Sequence, residues 1–176
     1  MNETPSIDRD MAMIFKNGKL YPQMNIYDNL AFGLKLKELP IGEIDARIAE
    51  VTQVLNIGHL LDKMTEDLDE KERALVVLGR AIVKKPKVFL LDEPFSSLSK
   101  ELKKEMQELL WSLYEKMQIT VVYVTHNSED IRHTDTRVAV MNDGSVQQIG
   151  TIGELYDKPA TPYVSEFLGV PAEEVC

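Results

Sequence analysis

A phosphate-cradling glycine loop, Gly-x-x-x-x-Gly-Lys-Ser/Thr, is absent from the 176 residues. Without it the sequence offers no run of backbone N–H groups and no lysine shaped for the β- and γ-phosphates of a nucleotide. Cysteine is equally scarce. The single thiol is Cys176, the last residue, which excludes a disulfide framework within one chain and fits a reducing compartment. No apolar run approaches the length that spans a bilayer, and no basic, apolar leader opens the chain. The expected location is the cytoplasm, or the inner face of the cell membrane by peripheral docking. Positive charge is in deficit, 20 Lys and Arg against 29 Asp and Glu for a net charge of -9, which argues against a nucleic-acid partner. Internal repeats and low-complexity stretches are also missing. The length suits one domain with its own core.

What is present alternates strands with helices, which predicts a parallel sheet with helical cover. Met11 to Phe15 reads as a short strand, and Lys16 to Met24, with Asn17-Gly18 and Tyr21-Pro22, as a loop. Apolar periodicity predicts helices over 26–37, 44–55 and 69–84, with Pro40-Ile41-Gly42 as a break and Pro86 as a stop. The runs Val88 to Leu91 and Val121 to Val124 are continuously apolar, as strands buried on both faces are. Lys100 to Met117 is a polar-faced helix between them. Ser128 to His133 reads as a helical turn. Asn142-Asp143-Gly144 joins Val138–Met141 to Ser145–Ile149 as a hairpin, because Asp-Gly supplies positive φ values. Short helices are expected at 152–156 and 162–168.

The chemistry-bearing residues fall at strand ends, where ligands of open α/β sheets bind. Asp92 and Glu93 close the first apolar run and His126 follows the second. An Asp in that position suits a magnesium ion, and a neighbouring Glu suits a base that polarises water. The His suits a donor to a terminal phosphate oxygen. Each residue alone also has a plain structural explanation, since carboxylates cap strands and helices widely and a lone loop histidine is usually satisfied locally. Trp111 with Leu109-Leu110 reads as core. His59 and His133 read as structural or surface residues. Glu101, Lys103, Lys104 and Glu105 form a solvated mixed-charge face.

Taken together the residues resemble the ATP-binding subunit of an ABC transporter, of the maltose type that powers sugar importers. Leu90-Leu91-Asp92-Glu93-Pro94 resembles the Walker B segment and Ser96-Ser97-Leu98-Ser99 the D-loop region. Thr125-His126 resembles the H-loop. Leu20-Tyr21-Pro22 with Tyr27 to Leu34 resembles the segment after the Q-loop, and Val140 to Gly144 with Gly150 to Ala160 the C-terminal hairpin and helix. The resemblance runs from about Pro5 to about Pro171. It implies an α/β fold, a P-loop-hydrolase-like and mostly parallel sheet with a helical subdomain, lacking the Walker A strand and the N-terminal β-subdomain. It implies one partial ATPase domain over 1–171. Within it lie a helical, permease-facing part at about 25–85, a Walker B and H-loop core at 86–150 and C-terminal helices at 151–171, with a tail at 172–176. Mg-ATP is the implied cofactor, with Asp92 for the metal and Glu93 and His126 as catalytic residues. Permease subunits are the implied partners through about Leu20–Leu36, and the chain is expected to pair with itself or with an intact ATPase subunit.

The departures from the family concentrate on the nucleotide. Met1 to Pro5 resembles an internal stretch of the family, so Met1 reads as a start inside an ancestral frame. Lys16 stands at the Q-loop position, where an ammonium, having only donors, cannot ligate a cation. Leu68-Asp69-Glu70-Lys71-Glu72 stands where the family has Leu-Ser-Gly-Gly-Gln, in register with Gly79-Arg80-Ala81-Ile82. Carboxylates there would repel a γ-phosphate. The same residues also form the pattern of a capping box, Asp69 as N-cap and Glu72 at N3, which gives the acids a purely structural role. Ser99 replaces the D-loop Asp. The missing Walker A strand is expected to leave the edge at 120–125 unpaired and prone to self-association. The sequence therefore predicts an importer ATPase lineage with weak or absent ATP activity. The alternatives are a non-catalytic permease-docking or regulatory module, or a decayed gene product.

Overall fold

The computed structural model describes residues 5, 9–16, 18–117, 119–131 and 136–170. His133 and Cys176 lie outside them. The chain divides into two compact units, 1–124 and 125–176.

The first unit holds β1 (Met11–Ile14), α1 (Ile26–Lys35), α2 (Ile41–Leu55), α3 (Glu70–Ile82), β2 (Val88–Asp92), α4 (Lys100–Met117) and β3 (Thr120–Val124). Its three strands are parallel in the order β1-β2-β3. The register aligns Ala12, Phe89 and Val121 across the sheet, and likewise Ile14, Leu91 and Tyr123. These residues point to the covered face: Ala12, Ile14, Phe89 and Leu91 are buried, and Tyr123 meets Trp111 of α4. The alternate residues do not follow the expectation of two-sided burial. Met13, Val122 and Val124 are exposed, so among the described residues the sheet is covered on one face only. A continuous apolar run reports that both faces avoid charge, and it does not say that both faces are packed. Within the described residues β3 pairs with β2 alone and so forms an edge.

Helices α1, α2 and α3 pack on one another, and α3 also lies on β1. Gly79 sits where the three helices meet: a methyl group there would stand 3.1 Å from Leu55 Cδ1 and 3.3 Å from Leu30 Cδ2. Helix ends follow local chemistry. The Asn25 side chain accepts from Asp28 N at 2.8 Å and starts α1. α2 begins at Ile41, three residues before the predicted start at Ile44. Pro40 is its N-cap, and its carbonyl accepts from Glu43 N and Ile44 N. Proline needs no N–H at a helix start, so it opens this helix rather than breaking the chain. Asn56, at φ 54°, closes it in the left-handed region that Asn tolerates.

Tyr27 of α1 donates its hydroxyl to Asp45 of α2. That hydrogen bond, burial and the nearby charges of Asp45 and Asp28 push the phenol up from 10.0 to about 12. The folded chain therefore holds this proton more tightly than the unfolded one. The contribution to stability is complete below about pH 10 and is lost as pH rises toward about 12. In a tyrosinate absorbance titration one of the six tyrosines should ionise late, and Asp45→Asn should return it to the others. A single common transition in the wild-type protein would show the bond is not formed.

The second unit holds the antiparallel hairpin β4 (Arg137–Asn142) and β5 (Ser145–Thr151), then α5 (Ile152–Asp157) and α6 (Pro162–Leu168). Asp143 and Gly144 take the positive φ values, 46° and 75°, that the turn requires. Val140, Leu155, Val164 and Leu168 form its core.

Candidate functional site

β2 ends on Asp92, and Glu93 follows in the left-handed region at φ 46°. A non-glycine residue pays about 1–2 kcal/mol for that conformation. It persists because the surroundings fix it: Glu93 N donates to Val124 O at 3.0 Å, and Ser96 donates its N–H and its hydroxyl to Glu93 O. The backbone turn places the carboxylate beside the residue that follows β1 by two positions. Lys16 Nζ stands 2.9 Å from Glu93 Oε2. The lysine side chain is 55% exposed and the glutamate 20%. The contact is an ion pair rather than an aligned hydrogen bond. Two residues 77 positions apart, each singled out from sequence for a different reason, are thus brought together.

The stretch from Asp69 to Glu72 has the capping-box geometry. Asp69 Oδ1 accepts from Glu72 N at 2.7 Å, and Glu72 Oε2 accepts from Asp69 N at 3.0 Å. The Asp69 N–H, then the Lys63 ammonium at 3.1 Å, hold the Glu72 carboxyl below the usual carboxylate range. Lys71 pairs with Glu105 of α4, and Glu70 is exposed in the first turn of α3. The helix end that would greet a phosphate already has its Glu72 and Asp69 amides and its dipole answered by its own acids. Ser99 precedes α4, where its carbonyl accepts from Lys103 N at 2.8 Å and its Oγ from Leu102 N at 3.4 Å. That is a helix-start role. His126 is exposed on the loop that opens the second unit, next to Thr125, whose Oγ1 donates to Asp130 Oδ2 at 2.6 Å.

A resident magnesium ion needs unengaged oxygen ligands. Glu93 is held by an ammonium, and Lys16 offers no lone pair, so Asp92 would stand nearly alone. No group of three or more His, Cys, Asp or Glu suited to a metal occurs among the described residues. The residues as arranged do not fit Mg-ATP in the way the family pattern implies.

The sequence profile of the ABC transporter family matches residues 1–96, more than half of the chain. The chain belongs to the ABC transporter family. It is 46% identical over 167 residues to the trehalose/maltose import ATP-binding protein MalK of Thermococcus litoralis, covering 95% of this chain and 45% of that one. It is 42% identical over 172 residues to the oligosaccharides import ATP-binding protein MsmX of Bacillus subtilis, covering 98% and 47%. Among solved structures, cbiO1 from Clostridium perfringens, part of the ABC transporter complex cbiONQ, superposes with a TM-score of 0.75 at 27% identity, covering 85% of this chain and 60% of that one. This ABC chain thus spans a little under half the length of the curated relatives it matches. The family resemblance and the α/β fold class are both borne out. No helix among the described residues is long and apolar enough to cross a membrane.

Sequence reasoning missed one feature of this ABC fold. A cleft of about 490 Å³ lies beside β1, α1 and the end of α3. Its charged lining residues are Lys16, Lys19, Arg80 and Lys84, with no acid among them. A cue existed in the i, i+4 spacing of Arg80 and Lys84 within the predicted helix 69–84, although α3 ends at Ile82 and Lys84 follows it. It could not say that β1 would bring Lys16 and Lys19 to the same place.

Proposed function

We propose that the chain is the ATP-binding component of a carbohydrate-type importer in which the nucleotide site is held in a weak or inactive state. Its lineage is supported by the relatives, whose names specify import of trehalose and maltose or of oligosaccharides. The observation that carries the inactivity is the Lys16–Glu93 ion pair. In this proposal Asp92 would serve the metal and Glu93 would act as general base. An ammonium against Glu93 both offsets its negative charge and repels a divalent ion. The acids of the Asp69 capping box act in the same direction at the other contact to phosphate. Both features lie inside the chain and do not depend on what precedes residue 1.

The segment Leu20–Leu36 would dock on permease subunits. Support comes from its order: the loop is tied down by buried Asn29, and α1 is capped and packed on two helices. A second role follows from the same ion pair. A chain that docks without turning over ATP would act as a regulatory, non-catalytic subunit. In that case it would co-purify with a permease pair without nucleotide.

The test is a calorimetric titration of Mg-ATP into the purified protein. No saturable binding is expected below about 1 mM, equivalent to roughly −4 kcal/mol. Micromolar binding accompanied by phosphate release would overturn the proposal.

A further inference from the structure

Lys84 follows the end of α3 and is held in a way unusual for a surface cation. Its chain lies across Gly33 of α1, where a methyl group would stand 2.6 Å from Lys84 Cε and 3.3 Å from Nζ. Gly33 thereby leaves the slot in which the end of the lysine rests. The residue keeps contact with water, so a reagent reaches it.

The lysines around it have carboxylates. Lys85 pairs with Glu50 at 2.6 Å, and Lys37 and Lys87 share Asp10 at 3.7 and 3.4 Å. Lys84 makes no ion pair among the described residues. It borders two hollows. One, of about 90 Å³, it shares with Lys37 and with Asp10, which Lys37 and Lys87 already occupy. The other is the cleft beside β1, whose further charged residues are Lys16, Lys19 and Arg80. Burial, then the positive charges of Arg80 and Lys37, pull the Lys84 ammonium below its ordinary range. A protonated amine has no lone pair to give, so a desolvated lysine beside other cations is the one that reacts as a nucleophile.

We propose that Lys84 is an acylation site that takes its acyl group directly from small acyl phosphates. The Nζ lone pair attacks the acyl carbon, and an N–C bond forms. The C–O bond to phosphate breaks, and its electron pair leaves with inorganic phosphate. The nitrogen gives its extra proton to water, and the product is a neutral amide on Lys84. An acyl phosphate is favoured over an uncharged acylating agent because the field of Lys37 and Arg80 draws an anion toward the amine. The same charges stabilise the departing phosphate. The reaction needs no resident ligand, so it leaves the face of α1 open to a permease, and the chain free of its partner is the form that reacts.

Neither ATP nor a permease enters the test, so its failure is distinct from failure of the transport proposal. The full folded protein is incubated with acetyl phosphate at about pH 8. Acetylation at each lysine is followed by peptide mass spectrometry, with the same chain unfolded in urea as the reference for each position. Lys84 should acetylate at least about threefold faster in the folded than in the unfolded chain. Lys85 and Lys87, which face carboxylates, should gain nothing from folding. Lys37→Gln removes one of the crowding charges and should lower the Lys84 rate by about twofold or more. Gly33→Ala pushes Lys84 out of its slot into water and should bring its rate to that of the unfolded chain. Lys37 lies between α1 and α2, so Lys37→Gln keeps the test decisive if Gly33→Ala disturbs α1. An uncharged acetyl succinimidyl ester should prefer Lys84 less than acetyl phosphate does. Equal or slower acetylation of Lys84 in the folded protein overturns the proposal, as does a gain that survives both substitutions. Selective labelling by the uncharged ester alone also overturns it, because the cations would then play no part in choosing the reagent.

Discussion

Asn29→Ala should lower the unfolding free energy by about 3–5 kcal/mol, the sum of two or three buried polar groups left unmet at about 1–3 kcal/mol each, less what relaxation recovers. Asn29 is fully buried in α1. Its Oδ1 accepts from Tyr21 N at 2.8 Å. Its Nδ2 donates toward the carbonyls of Tyr21, Met24 and Asn25 at 3.0–3.1 Å. One amide thus supplies the hydrogen bonds that the loop 21–25 cannot make with itself, which is why a segment with no strand or helix is ordered at all. For a chain of this length the loss corresponds to a fall in melting temperature of about 6–20 °C. Asn29→Asp tests the donor side separately. It keeps the acceptor for Tyr21 N but turns a charged oxygen toward three carbonyls, so it should be at least as harmful despite equal size. Circular dichroism melts of the two variants decide the matter. A change below about 1 kcal/mol in both would mean that water replaces the amide and that the loop is held by something else. The effect should reach function, since Tyr21 forms one wall of the basic cleft and the loop belongs to the segment proposed to meet a permease.

Much of this fold was legible because its signals are local. The 18 residues of α4 (Lys100–Met117) and the seven of α6 (Pro162–Leu168) start and stop where polarity, serine or threonine caps and a final glycine dictate. The hairpin was announced by Asp143-Gly144, and the capping box by the spacing of Asp69 and Glu72. α1 ends at Lys35 rather than 37, because Glu38 enters the left-handed region at φ 55° and the last turn tightens: Lys37 N reaches Leu34 O. The family was readable from strand-end motifs, since Asp92-Glu93 with Thr125-His126 is a pattern few other folds produce. The features that bear on activity were not local. Lys16 was visible as a misfit on its own strand end, and Glu93 as a carboxylate on another. Their pairing follows only from the β1-β2 register that lays Ile14 beside Leu91. The basic cleft has the same origin, because it joins residues from β1, α1 and α3 that sequence spacing alone cannot collect.

Lys16→Gln should raise the affinity of the strand-end acids for a divalent cation by at least about tenfold. The estimate comes from Coulomb's law: a +1 and a +2 charge about 4 Å apart repel by about 2 kcal/mol at the dielectric constant of water and by about 8 kcal/mol at an effective value of 20. Lys16 is 55% exposed, so the lower figure governs, and about 1.4 kcal/mol already corresponds to tenfold. Three substitutions separate the contributions. Lys16→Arg keeps the charge and should leave affinity unchanged. Lys16→Met removes the charge without adding a ligand and should recover the electrostatic part. Lys16→Gln adds a carbonyl oxygen and should recover more. Adding Glu93→Gln to the Lys16→Gln protein should cancel most of the gain, since it removes the carboxylate that the ammonium had occupied. Manganese binding followed by electron paramagnetic resonance reads the affinity directly and needs no nucleotide. Stability is a poor substitute readout, because an ion pair this exposed contributes no more than about 1 kcal/mol. Equal manganese affinity in the wild-type, Met and Gln proteins would show that Lys16 does not guard the site. The weak nucleotide site proposed above would then have to rest on the acids of the α3 cap, where Asp69→Ser with Glu72→Gln is the pair of substitutions that removes them.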